Sequence, residues 1–307
     1  MIRSFDELLA AVTVGEPVRL VGAAAQDTDT ITAMYEAERA GLITPILVGD
    51  TTEMARVMER EGLEFRNAVF VRADTLEESA ARAVELVRGG HGDFLMKGLL
   101  DTNIFLKAIV DRERGLPRGK VLSHVMTFDV GTRYHKILIT SDGGMCLYPD
   151  LEQKAAILRN ALTVARALGV EAPKCAVICA KEKVNPKMQP TVDAAELKRM
   201  AAEGAFGDAV VEGPISFDLA VSRHWAEVKR FDSPVAGDAD VFLLPDIDAG
   251  NLLGKCCTAL FGARAAGVIV GSSVPIVMTS RADDSATKLC SIALGCLMAQ
   301  SGRQEVG

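Results

Sequence analysis

Apolar runs of strand length alternate with helical segments along nearly the whole chain. PVRLVGAA (17–24) reads as a strand, DTDTITAMYEAERAGL (27–42) as a helix closing at Gly41, and TPILVGD (44–50) as the next strand. TTEMARVMEREG then reads as a helix, NAVFVRA (67–73) as a strand, LEESAARAVELVRGG (76–90) as a helix with a glycine stop, and DFLMKG (93–98) as a strand feeding TNIFLKAIVDRE. The strand-like runs are continuously apolar and do not alternate with polar residues. A strand reads that way when both of its faces are covered, as in a parallel sheet between two helix layers. This βα rhythm therefore predicts an α/β protein with a mostly parallel sheet in a three-layer α/β/α arrangement.

The middle of the chain departs from the rhythm once. GKVLSHVMTFDV and HKILITSD are adjacent strand candidates separated by GTRY, a possible antiparallel hairpin. A long helix follows (150–169). A second series of strands then runs through KCAVICA, AFGDAVVEG and DADVFLLPD, with a helix in GNLLGKCCTALFGA, strands in AAGVIVG and PIVMTS, and a closing helix at about 285–300. No low-complexity segment, charge block or flexible linker divides the two series. Two domains are expected at 307 residues, with the chain crossing between them more than once.

Composition removes several classes of function. The formal net charge is -7, and no basic stripe stands out as a nucleic-acid footprint. The longest apolar stretch near the C-terminus, AAGVIVGSSVPIVM, is too short to span a bilayer and is broken by Pro275. The N-terminal segment MIRSFDELLAAV lacks the continuous apolar core of a secretory signal. The 7 cysteines include no CxxC pair and lie mostly in apolar runs, as reduced buried thiols do. A soluble cytoplasmic protein without nucleic-acid or membrane partners is expected. The four histidines form no HExxH or HxH pattern, and GxGxxG after the first strand and GxxxxGK[ST] are both missing, which weighs against zinc, dinucleotide and P-loop chemistry.

Three strand–loop–helix junctions can carry chemistry, because ligands of open α/β sheets bind beyond the carboxyl ends of the strands. In VMTSRADDSATKL (277–289), Ser280, Arg281, Asp283 and Asp284 lie between a strand and a helix. An arginine beside free helix N–H groups suits a phosphate or a planar oxyanion; a helix cap with a surface arginine reads equally well. In DFLMKGLLDTNIFLKAIV (93–110), Lys97 ends a strand, Thr102 can cap the next helix, and Lys107 lies inside it. Two lysines there can hold phosphate oxygens, and a solvated Lys107 is the plainer alternative. In ITSDGGMCLYPDLEQK (139–154), Asp142 ends a strand beside two glycines that allow a ligand close to the backbone. As a turn former Asp142 fits equally well.

Four carboxylates in GDADVFLLPDID (Asp238, Asp240, Asp246, Asp248) invite a metal reading. Context favours architecture: Val241–Leu244 is a buried strand stopped by Pro245, and the next helix is expected to start at about Leu252, capped by Asp248 or Asn251.

Taken together, DFLMKGLLDTN, GKVLSHV, YPDLEQK, VNPKM, SPVAGDADVFLLPDIDAGN and VPIVMTSRADDSATKLCSIAL resemble the phosphate acetyltransferase/phosphate butyryltransferase family. MKGL, LSHV and VNPKM resemble the butyryl branch more than the acetyl branch. The resemblance spans about residues 17–298. It implies reversible transfer of a short acyl group, most simply butyryl, between CoA and inorganic phosphate. It implies an isocitrate/isopropylmalate dehydrogenase-like two-domain fold with the active site in the interdomain cleft. The first domain would be 1–142 plus 275–307 and the second 143–274, the latter carrying a homodimer or higher homo-oligomer contact. CoA and phosphate would be substrates, with no cofactor and no metal. Ser280 and Arg281 match a Ser-Arg pair beside the thiol and the acyl-phosphate oxygens, with Asp283 and Asp284 as nearby carboxylates. Lys97, Thr102, Lys107, Ser123, His124, Asp142, Asp248 and Asn251 would form the substrate-binding set. The chain departs from the acetyl branch at Thr287, where an aspartate is usual, at Cys146, where an asparagine is usual, and in lacking a second phosphate arginine, whose role Lys97 would take. Competing expectations are an acetyl-specific enzyme, a metal- and NAD-dependent hydroxy-acid dehydrogenase of the same fold, and a non-catalytic acyl-CoA-binding relative.

Overall fold

The computed structural model describes residues 1–116, 118–279 and 285–306, and the side chains of all of these except 118, 120 and 303–306. In chain order its elements are α1 (Phe5–Val12), β1 (Val18–Ala23), α2 (Thr28–Arg39), β2 (Ile43–Gly49), α3 (Thr51–Glu61), β3 (Val69–Arg72), α4 (Leu76–Arg88), β4 (Phe94–Lys97), α5 (Thr102–Ile109) and β5 (Arg118–Asp129). There follow β6 (Leu138–Ser141), α6 (Leu151–Ala167), β7 (Lys174–Ile178), α7 (Gln189–Ala202), β8 (Val210–Ile215), α8 (Phe217–Val221) and α9 (Arg223–Val228). The chain closes with β9 (Val241–Leu243), α10 (Ile247–Lys255), β10 (Arg264–Ser272), β11 (Ile276–Val277) and α11 (Ser285–Val306).

The chain divides into two compact units. One, here the flanking unit, comprises Phe5–Gly119 and Ala266–Gly307; the other, the central unit, comprises Met1–Ser4 and Lys120–Ala265. The crossings therefore lie at 4/5, 119/120 and 265/266, where boundaries near 142 and 275 are expected from the sequence. The cause is strand pairing. β6 bonds in parallel to β9 through Ile139↔Val241 and antiparallel to β5 through Val125↔Ser141, so the whole hairpin belongs with the later strands.

In the flanking unit the strand order is β3-β2-β1-β4-β11-β10, parallel except for the last pair. β4 is buried at every position, as a strand covered on both faces must be. In the central unit the order is β5-β6-β9-β7-β8, with β6, β9, β7 and β8 parallel. The carboxyl ends of those four strands thus share one edge. One face of this sheet packs Phe128, Phe242, Ile215 and Leu219 around Tyr134, whose hydroxyl donates to the Ala239 carbonyl at 2.7 Å. A βα series is expected between β7 and β9, with no helix bounds drawn from the sequence. Three helices form there: α7, with Pro190 in its first turn where a missing N–H costs nothing, and the short α8 and α9.

At the opposite edge of the central sheet, the carboxylates from GDADV are occupied. Asp238 accepts from Lys174, Lys136 and His135, and Asp240 pairs with Lys136 at 2.9 Å. Burial alone would raise the Asp238 pKa; the hydrogen bonds from Lys136, Lys174 and His135 outweigh it and hold the carboxyl well below the ordinary carboxylate range. These aspartates tie β7, β9 and the β5–β6 turn together.

Candidate functional site

The edge formed by the carboxyl ends of β6, β9 and β7 gathers most of the central unit's candidate residues. β6 ends at Ser141 and Asp142, both buried. The Asp142 carboxylate turns back into its own loop and accepts three backbone N–H bonds: from His124 at 2.8 Å, Gly144 at 2.7 Å and Met145 at 2.8 Å. Ser141 Oγ donates to the His124 carbonyl at 3.0 Å. Both backbone groups of His124 are therefore fixed by the end of β6. The His124 ring lies on Gly144, where a Cβ would come within 2.5 Å of Nδ1. Cys146, in the same loop, is half-buried. Burial, then the Asp142 charge, pushes its thiol up to about 12, so it is neutral and unreactive at physiological pH.

The loop is clamped against α10. Gly143 and Gly250 meet backbone to backbone: a Cβ on Gly250 would lie 2.7 Å from the Gly143 Cα and closer still to the Asp142 carbonyl oxygen. Asn251 Nδ2 donates to the Gly143 carbonyl at 3.2 Å, and Asp248 accepts from the Tyr148 hydroxyl at 2.8 Å, which raises the phenol's pKa. α10 begins at Ile247, not near Leu252, and its cap is Asp246, which accepts from the Ala249 N–H at 2.9 Å. The expected cap, Asp248 or Asn251, is corrected accordingly; both residues already lie in the first turns. Among the described residues no group of three or more His, Cys, Asp or Glu is placed to hold a metal.

This close approach decides the sign of one substitution. Gly250→Ala would gain about 1 kcal/mol of helix propensity, but the added methyl meets backbone that cannot rotate away, and overpacking of this kind costs about 1–3 kcal/mol or more. The variant is expected to be less stable by about 2 kcal/mol, with the Asp142 loop displaced. A lower melting temperature together with reduced catalytic turnover is the checkable result, and a stabilised, fully active protein would refute the clamp.

Ser123, expected to bind substrate, is fully buried and accepts from Asn160 Nδ2 at 2.9 Å, so it joins β5 to α6 and has no free face. The VNPKM segment forms a self-locked turn: Thr191, fully buried, accepts from the Asn185 N–H and donates to the Met188 carbonyl, and Asn185 accepts from Lys187.

Beside these loops lies a cavity of about 950 Å³. Tyr148, Val184, Pro190, Pro245 and Asp246 contribute to its walls, and Lys154 and Asp193 form a buried ion pair at 2.7 Å in its lining. Gln189 Nε2 donates to the other Asp193 oxygen at 2.8 Å. Its size falls within the range of small-molecule sites, and apolar walls with a few convergent polar groups are their usual chemistry. Sequence reasoning passed over Lys154 and Asp193. The signal was available: Lys154 precedes Ile157, Leu158 and Ala161 by three, four and seven positions, on the buried stripe of α6.

In the flanking unit the carboxyl ends of β1 and β4 lie side by side. Lys97 is buried and its ammonium donates to the carbonyls of Gly98 and Leu100, both at 3.2 Å. Thr102 is the first residue of α5, and the cap position belongs to Asp101. Thr102 and Lys107 are both exposed, and five residues turn a helix by about 140° beyond a full turn, so the two do not share a face. Gln26 and Asp27, which follow β1, were not among the sequence candidates. Gln26 Oε1 and Asp27 Oδ2 are buried with no hydrogen-bond partner among the described residues. A polar pair directly after an apolar strand was the sign. Ser280, Arg281, Asp283 and Asp284 lie outside the described residues.

Residues 68–296 match the family described as Phosphate acetyl/butaryl transferase. The chain is 40% identical over 299 residues to the phosphate butyryltransferase of Clostridium acetobutylicum, covering 97% of this chain and 99% of that one. It is equally 40% identical over 295 residues to the phosphate acetyltransferase of Thermotoga maritima, covering 96% and 100%. Among solved structures, a branched-chain phosphotransacylase from Enterococcus faecalis superposes with a TM-score of 0.80 at 30% identity, covering 92% of this chain and 99% of that one. A 4-hydroxythreonine-4-phosphate dehydrogenase from Burkholderia phymatum, at 13% identity and a TM-score of 0.52, shares the fold alone. With matches of this length and identity, the chain belongs to the phosphate acetyl/butyryl transferase family.

Proposed function

We propose that this phosphate acyltransferase prefers butyryl: butyryl-CoA and inorganic phosphate give butyryl phosphate and CoA, reversibly. The observation that carries the reading is the position of VNPKM. This segment resembles the butyryl branch, and Val184 at its start and Gln189 and Pro190 just after it line the large central-unit cavity. In the reaction a phosphate oxygen attacks the thioester carbonyl, a tetrahedral oxyanion forms, and its collapse expels the CoA thiolate, which takes up a proton. Cations must hold the phosphate and donors must meet the oxyanion. Holding both substrates in place supplies much of the rate.

The amides of Gly144 and Met145 are engaged by Asp142, so the oxyanion donors must come from elsewhere. Ser280 and Arg281 are the proposed pair for the thiol and the acyl-phosphate oxygens, with Lys97 and Lys107 toward the phosphate and His124, Asp248 and Asn251 toward CoA, in loops that Asp142 holds in place. For the proton on the thiol, Asp283 and Asp284 are joined by Asp27, whose Oδ2 is buried and has no hydrogen-bond partner among the described residues.

The test is CoA release followed with a thiol reagent, with butyryl-CoA or acetyl-CoA, with and without phosphate, and in the presence of a chelator. Release should depend on phosphate, and kcat/KM should favour butyryl-CoA by roughly tenfold or more, since each methylene is worth about 1–3 kcal/mol. An acetyl preference would overturn the butyryl assignment. Absence of phosphate-dependent release with any short acyl-CoA would sink the activity itself, and NAD-dependent oxidation of a hydroxy acid would favour the dehydrogenase reading.

A further inference from the structure

A second cavity in the central unit, of about 340 Å³, has a chemistry opposite to the chain's net charge. Lys181 and Lys183 from the loop after β7, and Lys229 and Arg230 from the end of α9, surround it, with Leu219 and Phe231 as apolar wall. Its one acidic lining residue, Glu182, is bound to Ser216 at 2.6 Å and to Lys229 at 3.3 Å, and Lys229 also pairs with Asp218 at 2.8 Å. That leaves Lys181, Lys183 and Arg230 exposed and, among the described residues, without a side-chain partner. In a chain of net charge -7, such a local excess of cations draws an anion, because a site responds to its neighbours and not to the total.

Arg230 adds an independent observation. It closes α9 in the left-handed conformation, φ 53°, with its N–H donating to the Glu227 carbonyl at 3.0 Å and Phe231 N–H to the Ala226 carbonyl at 2.8 Å. Glycine is the residue that adopts this position without cost. Arg230 and Phe231, consecutive in the chain, both line the cavity, a cation suited to phosphate next to an aromatic suited to a planar base.

Position ties this cavity to the larger one. Lys183 lines the first and Val184, the next residue, lines the second, so one loop forms a wall of each. Along the sheet edge the order runs β6, β9, β7, β8. From the Asp142 loop to the β8 end is three strand spacings, ~14 Å, which the phosphopantetheine arm of CoA can reach across.

We propose that the Lys181–Lys183–Arg230 cavity binds the phosphorylated adenosine end of CoA, adenine against Phe231 and the 3′-phosphate and diphosphate on the three free cations. This deepens the acyltransferase reading and rests on it. A charge-assisted contact to a phosphate is worth enough for roughly a tenfold change in affinity. The experiment compares wild type with Lys183→Ala/Arg230→Gly, in which the glycine keeps the left-handed turn. KM for butyryl-CoA should rise about tenfold while KM for phosphate stays the same. Wild type should prefer butyryl-CoA over its dephospho analogue, and the variant should lose that discrimination. Adenosine 3′,5′-bisphosphate should inhibit competitively against butyryl-CoA, less strongly in the variant.

An unchanged KM and unchanged inhibition would overturn the proposal. So would inhibition that butyryl-CoA does not relieve, which would mark a separate site for a free nucleotide. Calorimetric titration of the bisphosphate into both proteins needs no turnover. Binding lost in the variant, with no phosphate-dependent CoA release in wild type, would therefore sink the acyltransferase reading and leave the anion site standing.

Discussion

Asp142→Ala is expected to lower phosphate-dependent CoA release by at least two orders of magnitude while leaving a folded protein. One buried carboxylate organises the loop that follows β6. It accepts from His124, Gly144 and Met145, all within 2.8 Å, and hydrogen bonds to an ionised acceptor are worth about 1.5–3 kcal/mol each. The full sum is not lost, because Gly144 is exposed and water can replace the carboxylate there. Two contacts fixed from one atom and one from the other would disappear together, and a stability loss of about 2–3 kcal/mol is the reasonable expectation. Activity should suffer more than stability. The same loop positions His124 and, through the Gly143–Gly250 contact, the first turns of α10, and displacement by about 1 Å can cost 10²-fold in rate. Asp142→Asn tests the cause. It keeps the shape, but its amide presents an NH₂ group where an acceptor is needed, so it too should be impaired. An Asn variant with wild-type turnover would show that shape alone matters.

The βα rhythm was legible because a strand covered on both faces leaves a largely apolar run, as β1, β2, β4 and β9 do. Unit boundaries were less legible because they depend on pairings distant in sequence: Ile139 opposite Val241 is invisible to any local window. The loop at Asp142 was found from its glycines, yet the sequence left open whether the aspartate faces a ligand or its own turn. Three N–H contacts show that it holds the turn. At α10 the choice among Asp246, Asp248 and Asn251 was open because all three are good caps, and only the hydrogen bond to Ala249 separates them. Ser123 illustrates the reverse difficulty. A serine beside a histidine reads as chemistry, but the alternation of β5 sends it into the sheet–helix interface. The family resemblance put the catalytic candidates in a segment whose residue types suit anions; the residues of the central cavity had to come from the fold.

Replacing Asp193 by Leu is expected to destabilise the central unit by about 3–5 kcal/mol, and Lys154→Met by a similar amount, because each leaves the other charge buried without its partner. Both side chains are only 6% exposed, and the pair distance is 2.7 Å. Desolvation and attraction nearly cancel for such a pair, so the double variant Lys154→Met/Asp193→Leu should recover most of the loss and end within about 1 kcal/mol of wild type. Gln189, which also donates to Asp193, is exposed and turns to water in the double variant, so it adds little to the residual cost. Two compact units need not unfold together, so a whole-chain midpoint would blur the result. The single tryptophan, Trp225, lies in α9 of the central unit, and its fluorescence during denaturant titration reports on that unit alone. Additive losses in the double variant would show that the two charges are stabilised by other groups and not by each other. If the double variant folds well but loses affinity for butyryl-CoA, the ion pair is kept for the polarity it gives the cavity wall and not for stability.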